Sequence, residues 1–134
     1  MDAIWIKVKL TNLFDETKSR AEGLSHRGVR TYEGEARVDR EIIHSVIPKH
    51  VLENLGVVIR GTRRVETAPG STELVGLSEG IIFEALCCDT VDEALVTGDE
   101  IVIGLTAVNK LDLRVNRANR RSLHNPDRSV SKVK

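Results

Sequence analysis

The chain has 134 residues, the length of one domain, with 40% hydrophobic residues but only 3% aromatic ones. Its core is therefore aliphatic, and a small aliphatic core buries limited area and favours subunit association. Twenty basic residues balance twenty acidic ones, so no net field draws nucleic acid or an anionic membrane to it.

The first element is a strand. Ile4, Ile6, Val8 and Leu10 alternate with Trp5, Lys7 and Lys9, the period-2 pattern of a half-buried strand. The polar stretch from Thr11 to Gly28 is expected to be a loop. Strand character returns from Val29 to Val38, with Gly34 as a bulge or turn. After Asp39, Ile42, Ile43, Val46 and Ile47 lead into Pro48. Proline suits the start of a helix, Val51, Leu52 and Leu55 share a helical face, and Gly56 closes it. Val57 to Ile59 and Arg63 to Thr67 are strand pieces, and Ala68-Pro69-Gly70-Ser71 is a turn. Thr72 to Leu77 is its returning strand.

Ile81 to Cys87 and Thr90 to Val96 are further strands, separated by the turn Thr97-Gly98-Asp99 from a short buried strand, Ile101-Val102-Ile103, that ends at Gly104. Leu105, Val108 and Leu111 mark a second short helix. Leu113 to Val115 and Ser122 to His124 make a last hairpin around Asn116 to Asn119. Many short strands with two short helices imply a mainly β domain, a small closed β-barrel carrying one or two helices.

Several chemistries find no support. Cys87 and Cys88 are the only cysteines and are adjacent, which excludes a disulfide framework. They are expected as alternating strand positions, one inward and one outward. His26, His44, His50 and His124 have no metal-ligand spacing, so no metal or other cofactor is implied. His44 and His50 are expected at the surface or a helix start. Ser45 and Ser71 lack a nucleophile motif, and the glycines at 70, 76 and 80 make no phosphate loop. Met1-Asp2-Ala3 is no secretory start, and no apolar run approaches the ~20 residues of a membrane span. A cytoplasmic location without membrane association is expected. From Arg114 to Lys134 basic residues dominate, opposed only by Asp127. This is read as a solvated terminus, with residues 126–134 a disordered basic tail and 1–125 the domain. A tail that binds polyanions is the alternative, and the scarcity of aromatics argues against single-strand stacking.

The residues around Asp39 carry the strongest signal. The segment Glu35-Ala36-Arg37-Val38-Asp39-Arg40-Glu41-Ile42-Ile43-His44-Ser45-Val46-Ile47-Pro48 resembles the retropepsin-like aspartic proteases, especially their small bacterial single-domain members. That family has a strand ending in Ala-x-Val, then Asp-Thr-Gly, then Ser/Thr-Val-Ile-Pro and a helix. Gly98-Asp99-Glu100-Ile101-Val102-Ile103-Gly104 is similar to the family's hydrophobic-hydrophobic-Gly element, which lies beside the active-site loop. Ile103 and Gly104 are thereby expected to support that loop. Ala68, Pro69, Gly70 and Ser71 fall where the family places its substrate-covering flap.

The resemblance implies a homodimer, since one domain supplies one aspartate and catalysis takes two. Two carboxylates held close share a proton; one activates water while the other polarises the peptide carbonyl. Asp39 and its symmetry mate are the implied pair, and an extended peptide is the implied ligand, held by strand addition. The sequence departs from the family where Thr and Gly are replaced by Arg40 and Glu41. Arg40 lacks the hydroxyl that ties the two loops together, and a cation beside a carboxylate pair opposes proton sharing. Glu41 adds a side chain where the family has none. Weakened or lost proteolysis with retained peptide binding is the leading expectation, with an Arg40–Glu41 ion pair across the dimer axis in place of the hydroxyl tie. An active endopeptidase is the alternative, and a basic-tailed binding module a further one.

Overall fold

The computed structural model describes residues 4–23, 28–111, 113–116 and 121–124. Among them run eleven strands and three helices, so the domain is mainly β, with one helix more than expected. Strand β1 (Ile4–Asn12) buries Ile4, Ile6, Val8 and Leu10, as their alternation requires. It pairs antiparallel with β2 (Thr31–Val38) in unbroken register. Gly34 sits directly opposite Val8 in that ladder, so the bulge expected there is absent.

The polar stretch after β1 is not all loop. Helix α1 (Leu13–Ala21) begins where the Asn12 side chain accepts the Asp15 N–H, with Asp15 and Glu16 in its first turn and Lys18 and Arg20 in its last. Its stability comes from that cap, from charges placed to suit the helix dipole and from the Arg20–Glu16 pair one turn apart. Asp15 also holds Arg30 in a fork, at 2.7 and 3.0 Å, which returns the chain toward β2.

Strand β3 (Ser45–Ile47) leads through Pro48 into α2 (Lys49–Leu55). Gly56, at φ 67°, closes this helix in the left-handed conformation. Strands β4 (Ile59–Ala68) and β5 (Ser71–Ser78) form a long hairpin whose turn is Pro69-Gly70. β4 is one strand with irregular register near each end, not two pieces. β6 (Ile81–Ala85) and β7 (Cys88–Asp92) form the next hairpin. Ala85 pairs with Cys88, which leaves Leu86 and Cys87 as the turn, both left-handed at φ 51° and 69°. The cysteines therefore do not alternate along one strand. Cys87 is exposed in the turn, and Cys88 opens β7 and packs on the core. Glu93 breaks the expected Thr90 to Val96 strand, and β8 (Ala94–Val96) pairs elsewhere.

The short β9 (Ile101–Ile103) precedes α3 (Leu105–Leu111). Strands β10 (Leu113–Asn116) and β11 (Arg121–His124) pair as expected. The remainder of their turn, His26 and the basic tail lie outside the described residues. No helix among the described residues is long and apolar enough to cross a membrane.

Nine strands form one sheet, ordered β4-β5-β8-β3-β9-β2-β1-β6-β7. The sheet is open, with β4 and β7 at its edges, and the expected closed barrel is corrected accordingly. Because side chains alternate, the sheet has two apolar faces. One carries the main core, which α2 and α3 cover with Val51, Leu52, Leu55, Ala107, Val108 and Leu111. The other carries a smaller cluster of Val75, Leu77 and Leu95 with Val46 and Val65.

Candidate functional site

The site is built where β2 stops. β2 lies parallel to β9, with Ala36, Arg37 and Val38 opposite Ile101, Val102 and Ile103. β3 lies on the other side of β9, antiparallel to it through Val46 and Val102. The six residues between β2 and β3 must therefore pass over the end of β9. Asp39 N–H donates to the Ile103 carbonyl at 3.0 Å, extending the ladder by one bond. The carbonyls of Ile42 and Ile43 accept the N–H groups of Leu105 and Thr106, the first two residues of α3. Those N–H groups have no partner inside their own helix.

Gly104 lies under this loop. A Cβ there would stand 2.5 Å from the His44 carbonyl oxygen and 2.8 Å from that of Ile43. Only glycine permits so close a backbone approach. The Gly104 N–H donates to Ser45 Oγ at 3.1 Å, and the Ser45 hydroxyl donates to Asp92 Oδ2 at 3.1 Å. Ser45 is fully buried and Asp92 nearly so. Burial pushes the Asp92 carboxyl above the usual carboxylate range, against the opposing pull of the Ser45 hydrogen bond and the charges of Lys110 and His44.

Asp39 itself is partly exposed. Its Oδ1 accepts the backbone N–H of Glu41 at 2.9 Å, a local turn that any residue but proline at 41 can make. Its Oδ2 accepts from Arg37 Nη1 at 3.1 Å, while Arg37 Nε donates to Glu100 at 2.7 Å. The hydrogen bond to Glu100, joined by that to Asp39, holds Arg37 even more firmly protonated than usual, against burial. Arg40 and Glu41 both carry exposed side chains. Among the described residues the cation paired with Asp39 is thus Arg37, two residues before it and on the same face of β2.

Arg37 interrupts an apolar row. Register places Arg37, Val102, Val46, Leu95 and Leu77 side by side across β2, β9, β3, β8 and β5. Trp5 of β1 continues the row beyond Arg37. Ala68, Pro69, Gly70 and Ser71 are exposed at the tip of the β4–β5 hairpin. Ile103 and Gly104 lie against the Asp39 loop through the contacts above.

Sequence reasoning missed two parts of this site. The Ser45–Asp92 pair spans 47 residues, and no local pattern announces it. Arg37 was legible: its neighbours Ala36 and Val38 face the core, so period-2 alternation sends Arg37 to the face that Asp39 shares.

Neither a family model nor a curated protein matches the chain. Among solved structures it is similar to the foamy viral protease-reverse transcriptase, determined in complex with an RNA/DNA hybrid, at 18% identity and a TM-score of 0.48. The match covers 57% of this chain and 10% of that one.

Proposed function

We propose that the chain is a retropepsin-like peptide-binding domain that acts as a homodimer, with Asp39 at the position of the catalytic aspartate and with proteolysis weakened or lost. The observation that carries this reading is the seating of the Asp39 loop on Gly104. A strand ends in a carboxylate whose own N–H continues the ladder onto β9, and the loop closes against a glycine that admits no side chain. That construction suits a carboxylate that must be held still and aimed, and both segments that resemble the retropepsin-like family meet in it.

In the proposed dimer two Asp39 loops face each other across a two-fold axis. An extended peptide is held by strand addition under the β4–β5 hairpin, whose β4 is an edge of the sheet. Arg40 of one subunit and Glu41 of the other, both exposed, form the ion pair that replaces the family's hydroxyl tie. The active endopeptidase is the second reading. It is favoured by the Glu41 N–H on Asp39 Oδ1, a contact that the family's glycine would also supply.

Light scattering is expected to give the mass of a dimer. An unfolded protein incubated with the chain across pH ~3 to 7, where a proton-sharing pair works, is expected to be cut slowly or not at all. Rapid cleavage abolished by Asp39→Asn would establish the endopeptidase instead, and a strict monomer would sink both readings.

A further inference from the structure

We infer that Arg37, held in place by Glu100, is a built-in latch on Asp39, and that this latch, rather than the replaced residues 40 and 41, is what silences the carboxylate. The inference rests on the reading of Asp39 given above and assigns the regulation of that same site.

The geometry begins with register. Arg37 and Asp39 lie two residues apart at the end of β2, so their side chains leave the same face. Glu100 immediately precedes β9, whose first residue pairs with Ala36, which brings its carboxylate alongside Arg37. The guanidinium is a planar fork that cannot rotate one N–H without moving the others. Its Nε is committed to Glu100 at 2.7 Å and its Nη1 to Asp39 at 3.1 Å. Glu100 therefore fixes the fork, and the fork covers Asp39.

Burial separates this contact from ordinary surface ion pairs. The difference lies in the arginine: Arg37 is 30% exposed, whereas Arg20, Arg30 and Arg60 in their pairs are 76%, 52% and 57% exposed. A guanidinium that is less exposed is less screened by salt.

The chemistry then gives the consequence. A paired-aspartate site needs carboxyl oxygens free to hold the attacking water and the proton shared with the partner. Here Oδ1 accepts the Glu41 N–H, a contact that an active site would share, and the added partner is the Arg37 guanidinium on Oδ2, a fixed charge that favours the ionised form and opposes proton sharing. Acid does not release the latch from its own side, because arginine keeps its proton at every working pH. Position 41 reaches Asp39 through its backbone, which a change of side chain leaves in place. The side chain to remove is Arg37.

The test uses the full chain and a fluorescently labelled, unfolded casein as substrate, assayed across pH ~3 to 7. Arg37→Leu is expected to raise cleavage at least ~10-fold, equivalent to ~1.4 kcal/mol of barrier, with a bell-shaped pH profile that vanishes in Arg37→Leu/Asp39→Asn. Should Arg37→Leu fail to fold, Arg37→Gln, which keeps a polar chain without the charge, is expected to show the same gain. A folded Arg37 variant no faster than the parent overturns the latch, as does a gain that survives loss of the Asp39 carboxylate. Cleavage gained in Arg40→Thr/Glu41→Gly but not in the Arg37 variants also overturns it, while leaving the aspartic-protease reading intact. Silence in every variant together with a monomeric mass removes both.

Discussion

The two sides of the Asp39 loop are built from different materials. Beneath it lie Gly104, Ser45 and Asp92, buried and joined by hydrogen bonds from backbone to hydroxyl to carboxyl. On the other face of β2 lie Arg37 and Glu100, half-exposed and joined to Asp39 by charge. The buried side determines where the loop goes, since its contacts are to backbone and admit little rearrangement. The charged side determines what Asp39 has free to react with. A change beneath the loop should appear mainly as altered stability, and a change on the charged side mainly as altered chemistry.

The largest effect is expected from Gly104→Ala. The new methyl would meet carbonyl oxygens of His44 and Ile43 at 2.5 and 2.8 Å, and backbone cannot rotate away as a side chain can. A loss of about 3 kcal/mol, read as a lower urea midpoint, is expected from overpacking of this kind. A loss below about 0.5 kcal/mol, the range of ordinary surface changes, would show that the loop is not seated on β9 and would erase the contrast.

How much of this was legible in the sequence follows the range of the interactions. β1 and α2 were readable because alternation, Pro48 and Gly56 are local signals. The segment from Ala36 to Pro48 was readable through the resemblance it carries. Helix α1 was missed because its residues offer little apolar periodicity, although Asn12 with Asp15 three positions later was a usable cap signal. The Leu86-Cys87 turn was missed because neither residue is one that favours positive φ. Openness of the sheet was beyond reach, since it depends on pairings such as β2 with β9 that join residues 65 positions apart, as Ala36 and Ile101 show. The Ser45–Asp92 pair is hidden for the same reason.

Asp92 gives a smaller effect of opposite sign. Its folded-state carboxyl titrates above the ordinary range because burial disfavours the charge. The stability it contributes is therefore present below the ordinary carboxylate range and is lost as pH rises through the raised folded value. Lys110 and His44 offset part of that loss. Asp92→Asn keeps an oxygen for the Ser45 hydroxyl and carries no charge. Near neutral pH the variant is expected to be more stable than the parent by about 1 to 2 kcal/mol, and the gap should close in acid. Thermal unfolding followed across pH ~4 to 8 checks the sign. A parent that is the more stable form at neutral pH would show that the Asp92 charge is well compensated, and the buried side would then resemble the charged one.

The smallest effect on folding is expected on the charged side of the loop, where changes act mainly on chemistry. Glu100→Gln removes one charge from the Arg37 pair and leaves an oxygen that still accepts from Nε. Because both groups keep contact with water, the pair contributes little net free energy, and the variant is expected to unfold within about 1 kcal/mol of the parent. Raising the salt to ~0.5 M should narrow even that difference, since exposed charges are screened over a few ångströms there. The arginine, less firmly anchored, spends less time on Asp39, so the same variant should show a rise in Asp39-dependent cleavage smaller than that of Arg37→Leu. A large stability loss with no change in cleavage would reverse the assignment, making Arg37 and Glu100 part of the scaffold, and the two sides of the loop would no longer differ in kind.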